Sequence, residues 1–268
     1  MCATCGCGGD GAVVTLAGHD GARHRHGHDH PHEHDHPHEH GDSHEHLHTE
    51  TITLEQKVLA KNDRVADENR RWLAERDILA LNMTSSPGAG KTTLLERTIR
   101  DLGEQQPIAV IEGDQETLLD ADRIRAAGAR AVQINTGAGC HLDADMVRRA
   151  LDTLDPEPGS LLFIENVGNL VCPAMFDLGE HSKVVVISVT EGADKPLKYP
   201  HMFAAAGLIV INKIDLLPYV DFDLEACAGY ARSLNAGVKI LPLSATTGDD
   251  ISDWYDWIGV LANRPETG

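Results

Sequence analysis

"SSPGAGKTT", residues 85–93, follows the apolar run "ILALNMT" and precedes "LLERTIRDL", whose apolar residues recur at helical spacing. A strand, a glycine-rich turn, Lys-Thr and then a helix is the layout of a phosphate-binding P-loop. Gly88 and Gly90 let the backbone come close to phosphate oxygens. Successive N–H groups, those of Ala89 and Thr93 among them, and the positive end of the helix beginning near Lys91 would meet the phosphate charge. Lys91 would hold the β and γ phosphates, and the Thr92 hydroxyl would ligate Mg²⁺. The usual pattern begins with Gly, where this chain has Ser85.

On either side of this loop, short apolar runs alternate with helical stretches. "DILALNM", "PIAVIEGD", "ARAVQINT", "LLFIENV", "KVVVISVT" and "LIVINKID" read as buried strands. The alternation predicts an α/β fold, a P-loop NTPase with a mostly parallel, doubly wound sheet and helices on both faces. Ahead of it, residues 51–76 place Leu54, Val58, Leu59, Val65, Trp72 and Leu73 at helical spacing, which predicts a leading amphipathic helix.

Residues 1–50 differ in kind. They are Gly, His, Asp and Glu with few large apolar side chains, and are expected to form a disordered Cys/His-rich N-terminal arm ahead of a domain at 51–268. The chain has 268 residues and a formal net charge of -19, which argues against a nucleic-acid partner. It has no apolar run long enough for a membrane span and no secretion signal at its start, so a cytoplasmic protein is expected, with no membrane partner. In that reducing setting its 6 cysteines are read as metal ligands or reactive groups rather than disulfides.

The base is read from "NKID", residues 212–215. A carboxylate at Asp215 can accept both N1–H and the exocyclic N2–H of guanine, a donor pair adenine lacks. Asn212 would support the other edge of the base and the Lys213 stem would cover its face. "SATTG", residues 244–248, matches a second guanine-reading loop, in which Ser244 and the backbone N–H groups near Ala245 would address O6. The nucleotide is therefore expected to be GTP. "VIEGDQET" ends a strand with Asp114 and "LLFIENVGN" ends another with Glu165, placed to reach the magnesium shell or orient water. Either acid could instead cap a strand or helix. Gly113 and Gly168 would be hinges. With no arginine finger evident, slow turnover suited to a switch is expected.

Three stretches carry metal chemistry. "CATCGC" gathers Cys2, Cys5 and Cys7, a soft thiolate site that the amine of Cys2 would complete for Ni²⁺ if Met1 were removed. Residues 19–48 contain 13 of the 16 histidines, which suits a store or collector of Ni²⁺, Cu²⁺ or Zn²⁺. Inside the domain, Cys140 and His141 follow one strand and Cys172 follows another. Ligands gather at the carboxyl ends of strands in such sheets. Neighbouring Cys and His bind one ion only if the loop bends them together, so ordinary packing stays open. Cys227, at a helical apolar position, is read as core.

Taken together, "CxxCGC", the His-rich arm, "SSPGAGKTT", "GAGCHL", "ENVGNLVCP", "NKID" and "SATTG" resemble the hydrogenase nickel-incorporation GTPases of the HypB family. The resemblance runs through nearly the whole chain, and Ser85 is no departure from that family. It implies a GTPase of the signal-recognition and MinD-like (SIMIBI) class that delivers nickel to [NiFe]-hydrogenase. The implied partners are a HypA-type metallochaperone, the hydrogenase large-subunit precursor and a second copy of the chain in a GTP- or metal-linked homodimer. It further implies that Cys2, Cys5 and Cys7 form the N-terminal nickel site and that Cys140, His141 and Cys172 form a nickel or zinc site at the dimer interface. A nickel store, or a urease-type nickel-delivery GTPase, are the competing readings.

Overall fold

The computed structural model describes residues 13–15, 44–114, 119–137 and 139–263. Seven parallel strands, β2 (Leu79–Ser85), β3 (Ile108–Asp114), β4 (Arg130–Asn135), β5 (Leu161–Glu165), β6 (Ser182–Ser188), β7 (Leu208–Asn212) and β8 (Lys239–Pro242), form one sheet. A short strand β1 (Val13–Thr15) is added antiparallel to β4, giving the order β1-β4-β3-β5-β2-β6-β7-β8. The six strands expected from the long apolar runs are all present, and β8 lies within "VKILPL".

Alternation along each strand divides the core. Leu81, Met83, Val110, Phe163, Val184 and Val186 turn to one face, where α2 (Lys91–Leu102), α3 (Leu119–Ala127) and α8 (Ile251–Ala262) cover them. The alternate residues Ala80, Ile111, Ile134 and Ile164 turn to the other face, under α1 (His44–Ala74) and α4 (Ala144–Leu154). Farther along that face, Val185, Ile187, Ile209 and Ile211 lie under α6 (Pro200–Ala204) and α7 (Leu224–Leu234), against which the short α5 (Lys195–Lys198) packs. Both faces being buried explains why the strands read as continuous apolar runs. Cys227 is 1% exposed and belongs to this packing, as expected.

Two features depart from the expected layout. Val13–Thr15 is a strand and α1 begins at His44, so regular structure reaches into the segment read as an arm, and the helix crosses the boundary drawn at 50/51. The stripe that α1 buries is also not purely apolar. Its buried positions among residues 56–74 are Asn62, Ala66, Asn69 and Leu73, while Val58 is exposed. Asn62 accepts from the Ala144 N–H (2.9 Å), an unpaired donor at the start of α4, and donates to the Asp177 carbonyl (2.8 Å). Asn69 donates to the Ala144 and Leu178 carbonyls (2.8 and 3.1 Å). The helix packs on backbone that needs polar partners, so amides occupy positions a hydrophobic count assigns to valine or leucine. Among the described residues no helix is long and apolar enough to cross a membrane.

Candidate functional site

A cleft of about 560 Å³ opens at the carboxyl ends of β2, β3 and β5, lined by residues 85–93 together with Glu112, Asp114, Asp120, Arg123, Glu165, Gly168 and Lys213. β2 stands between β5 and β6 at the middle of the sheet, the place where open parallel sheets bind ligands. The loop leaving β2 turns into α2 at Gly90, whose φ of +93° lies in the left-handed region. A Cβ there would come within 2.4 Å of Asn212 Nδ2, so only glycine fits. No side chain caps the start of α2, which leaves its first N–H groups directed at the cleft for an anion.

Lys91 and Thr92 both reach Glu165. The lysine Nζ donates to Glu165 Oε1 at 2.8 Å and the Thr92 hydroxyl to the same oxygen at 2.6 Å. Glu165 Oε2 is buried with no partner. Directly across the ladder, Glu112 pairs in register with Glu165 and is 2% exposed, its Oε2 also without a partner. Burial, then the charges of Glu165 and Asp114, push the Glu112 carboxyl up to about 8. A hydroxyl and two inward-facing carboxyls with open lone pairs are the hard-oxygen set that Mg²⁺ takes beside a phosphate, so the residues fit that ion.

The residues expected to read guanine are brought to the same loop. Asn212 is 1% exposed. Its Nδ2 donates to the Ala89 carbonyl (2.9 Å), and its Oδ1 accepts from the Lys213 and Ala245 N–H groups (2.8 and 3.0 Å). It ties the phosphate loop to the base loops, with the Ala245 N–H engaged by its Oδ1. Ser244 is fully buried, its hydroxyl accepting from the Thr247 N–H (3.1 Å), so it shapes the second loop. Lys213, at φ +64°, lays its chain over the phosphate loop and donates to the Gly88 carbonyl (2.7 Å). Asp215 has a buried oxygen, Oδ1, without a partner, as a carboxylate awaiting two donors would.

Several residues here carried no signal in the sequence. Glu112 is one place beyond the apolar run of β3. Asp120 lies 3.4 Å from the Thr92 hydroxyl, and Arg123 lines the cleft with its guanidinium on Glu96 (2.9 Å) and Asp120 (3.0 Å). Glu191, which pairs with Lys195 (2.9 Å), accepts from Ser86 of the phosphate loop. Only contact through the fold joins them to the loop.

A second group stands beside the cleft. Cys140 and His141 follow β4, and Cys172 begins a 3-10 turn beyond β5. The Cys140 and Cys172 sulfurs lie 2.9 Å apart, His141 Nδ1 is 3.5 Å from the Cys140 sulfur, and all three candidate ligand atoms lie within 4.8 Å of one another. The loop does bend neighbouring Cys and His together. His141 stacks on Phe176 with ring centroids 4.0 Å apart, and burial lowers its pKa against the opposing pull of Asp143, which favours the neutral ligating imidazole. Two thiols and an imidazole are a soft to borderline donor set suited to Ni²⁺ or Zn²⁺. Cys2, Cys5, Cys7 and most of the histidine-rich tract lie outside the described residues.

Comparison with known proteins gives one consistent result. Residues 79–242 match the model of the CobW/HypB/UreG nucleotide-binding domain. The hydrogenase maturation factor HypB of Azotobacter chroococcum is 59% identical over 207 residues, 77% of this chain and 68% of that protein. A crystal structure of HypB from Archaeoglobus fulgidus superposes with a TM-score of 0.71 at 42% identity, covering 76% of this chain and all of that one. A crystal structure of HypB from Helicobacter pylori in complex with nickel gives 0.72 at 36% identity, covering 78% of this chain and 99% of that one. With its phosphate cleft and thiol-imidazole group on one nucleotide-binding domain, the chain belongs to the HypB family of hydrogenase maturation factors.

Proposed function

We propose that the chain is a GTPase that binds nickel and uses the nucleotide to gate its delivery into the [NiFe]-hydrogenase precursor. The observation that carries this reading is the placement of Cys140, His141 and Cys172 on loops beside the phosphate cleft, with Cys172 only seven residues beyond Glu165. The nickel complex of the Helicobacter pylori relative supports it.

In this reading Gly88, Ala89, Gly90 and Thr93 offer backbone N–H groups or close approach to the phosphates, and Lys91 holds the β and γ oxygens. Asp215 reads the guanine edge, Lys213 covers the ring, and Asn212, Ser244 and Ala245 hold the two base loops to the phosphate loop. Mg²⁺, held by Thr92 and the acids around it, would supply charge neutralisation at the β and γ phosphates. Glu165 and Asp114 orient the attacking water and the ligands around the ion. Nickel is cargo, taken by Cys140, His141 and Cys172, with Zn²⁺ as the competing occupant. Cys2, Cys5 and Cys7 form a second nickel site ahead of the nucleotide domain, and the histidines collect the metal.

The expected partners are a HypA-type metallochaperone, the hydrogenase large-subunit precursor and a second copy of the chain. Reduced thiols of this kind suit the cytoplasm. The thirteen histidines favour one further reading, a nickel store in which the nucleotide is secondary. Lys91→Ala separates the two. Loss of hydrogenase maturation at moderate nickel supports gating, whereas intact maturation with reduced metal tolerance supports storage.

A further inference from the structure

A continuous set of buried polar side chains runs between the two sites just described. Asn166 directly follows Glu165, and its backbone N–H is fixed to the Met83 carbonyl of β2 (2.9 Å). Its Oδ1 accepts the Leu142 N–H (3.2 Å), one residue past His141, and its Nδ2 donates to Asn82 Oδ1 (3.3 Å). Asn82 Nδ2 donates to Glu180 Oε1 (2.9 Å), and that oxygen lies 3.8 Å from Lys183 Nζ. Lys183 donates to the Pro173 carbonyl (2.8 Å), one residue past Cys172, and more weakly to that of Phe176 (3.4 Å), the residue stacked on His141. Asn82 and Asn166 are 0% and 1% exposed, Lys183 and Glu180 8% and 9%.

We infer that this chain of Asn166, Asn82, Glu180 and Lys183 transmits nucleotide state to the metal group, by tying both ligand-bearing segments to the residue next to Glu165. The inference rests on the gating reading above and names the residues that would perform it. The physical grounds are three. Buried amides and charges are costly to leave without partners, so a shift of one member must be followed by the next or lose a bond that water cannot replace. Apolar side chains of the same size would fill these positions of β2 and β6 without that cost, so packing alone gives no reason for polar ones. The two arms of the chain end one residue beyond His141 and one residue beyond Cys172, while its origin adjoins the carboxylate that holds Lys91 and Thr92. When phosphates take over Lys91, Glu165 loses one of its two partners, and Asn166 is the first side chain to feel the adjustment.

None of the four touches the nucleotide or the metal ligands directly, so they are positioning residues, and the test reads coupling rather than affinity. Nickel dissociation constants are measured on the full chain, by competition with a chelator, once with GDP and once with a nonhydrolysable GTP analogue. The native chain should give a ratio well away from one. Asn82→Leu should bring that ratio toward one by at least about fivefold, with nickel's effect on nucleotide affinity shrinking by the same factor. Nucleotide affinity without nickel should stay within about threefold of the native value, an energetically small change. A merely structural role would weaken nickel equally in both states; an unchanged ratio in the folded variant overturns the relay. Lys183→Met, at the far end, keeps the apolar stem and should reduce the ratio in the same direction. On the unmodified chain, hydrogen exchange at the amides of Leu142, held by Asn166, and Leu178, which donates to Glu180 Oε2 (2.7 Å), should differ between GDP and the analogue, and identical protection there also overturns it. A native ratio of one sinks the gating reading itself, whereas a native ratio away from one that both variants retain sinks only the relay.

Discussion

The Lys91 ammonium and the Glu165 carboxylate form an ion pair of 2.8 Å with side-chain exposures of 11% and 2%. The cation expected to grip the phosphates is therefore held by the acid at the end of β5 until a nucleotide displaces it. Removing one partner of a buried pair leaves the other uncompensated, at a cost of about 3 kcal/mol where the neutral amide still accepts a bond. Glu165→Gln should lower the urea midpoint of the nucleotide-free chain accordingly. With GDP bound the phosphate becomes the partner of Lys91, and the deficit should largely vanish. Equal losses with and without GDP would show that the nucleotide does not displace this pair. Phosphate release should also slow on the order of 10²-fold, as for loss of a preorganised charge at a reacting centre.

Glu112 gives a pH dependence of definite sign. Its carboxyl titrates near 4.5 when unperturbed and is pushed up to about 8 in the fold, by burial first and then by Glu165 and Asp114. Between those values the folded chain holds a proton that the unfolded chain has lost, so the contribution is full below about 4.5 and disappears as pH rises through about 8. The limiting slope is about 1.4 kcal/mol per pH unit. Urea midpoints of the nucleotide-free chain should fall from pH 5 to pH 8 by more than those of Glu112→Gln. Parallel profiles for the two proteins would refute the assignment.

Asp215 has an unpartnered buried oxygen, and its chemistry sets the base. Xanthine carries a carbonyl where guanine carries the exocyclic amine, so an amide at 215 should prefer it. Asp215→Asn is expected to weaken GDP by on the order of 10²-fold, as a bidentate charge-assisted pair is lost, while xanthosine diphosphate becomes the better ligand. Titration with the two diphosphates decides the matter, and an unchanged preference for GDP would remove Asp215 from base recognition.

The sequence made these sites legible unequally, for physical reasons. The strands are short apolar runs because both sheet faces are covered, and the phosphate loop is a local device whose glycine and lysine must adjoin each other. Those features are written in consecutive residues. Cys140 and Cys172, 32 residues apart, meet only because β3 separates β4 from β5 by one strand, which no spacing rule expresses. The place of Asn212 in "NKID" marks it for the base, but that its amide also ties Ala89, Lys213 and Ala245 together is visible only in the fold. In α1, Asn62 and Asn69 escaped the hydrophobic pattern because their partners are backbone groups of distant segments. Amides aimed at backbone carry no periodic signature.

That same docking of α1 leads to a test of where the folded domain begins. Gly179 has a φ of +90°, and a Cβ on it would come within 2.6 Å of the Ala66 carbonyl and 2.9 Å of the Arg70 N–H, both backbone atoms of α1. Gly159 has a φ of +76° and open space where its Cβ would go. Alanine at either position incurs the strain of a left-handed backbone, about 1 kcal/mol, but only at 179 must a helix also move. Gly159→Ala should therefore cost about 1 kcal/mol and Gly179→Ala about 3 kcal/mol or more, as severe backbone clashes in a packed interior do. Proteolysis should cut α1 of the second variant sooner than that of the first. If the two variants unfold at the same urea concentration, α1 contributes little to the stability of the sheet, and the domain begins after it rather than within it.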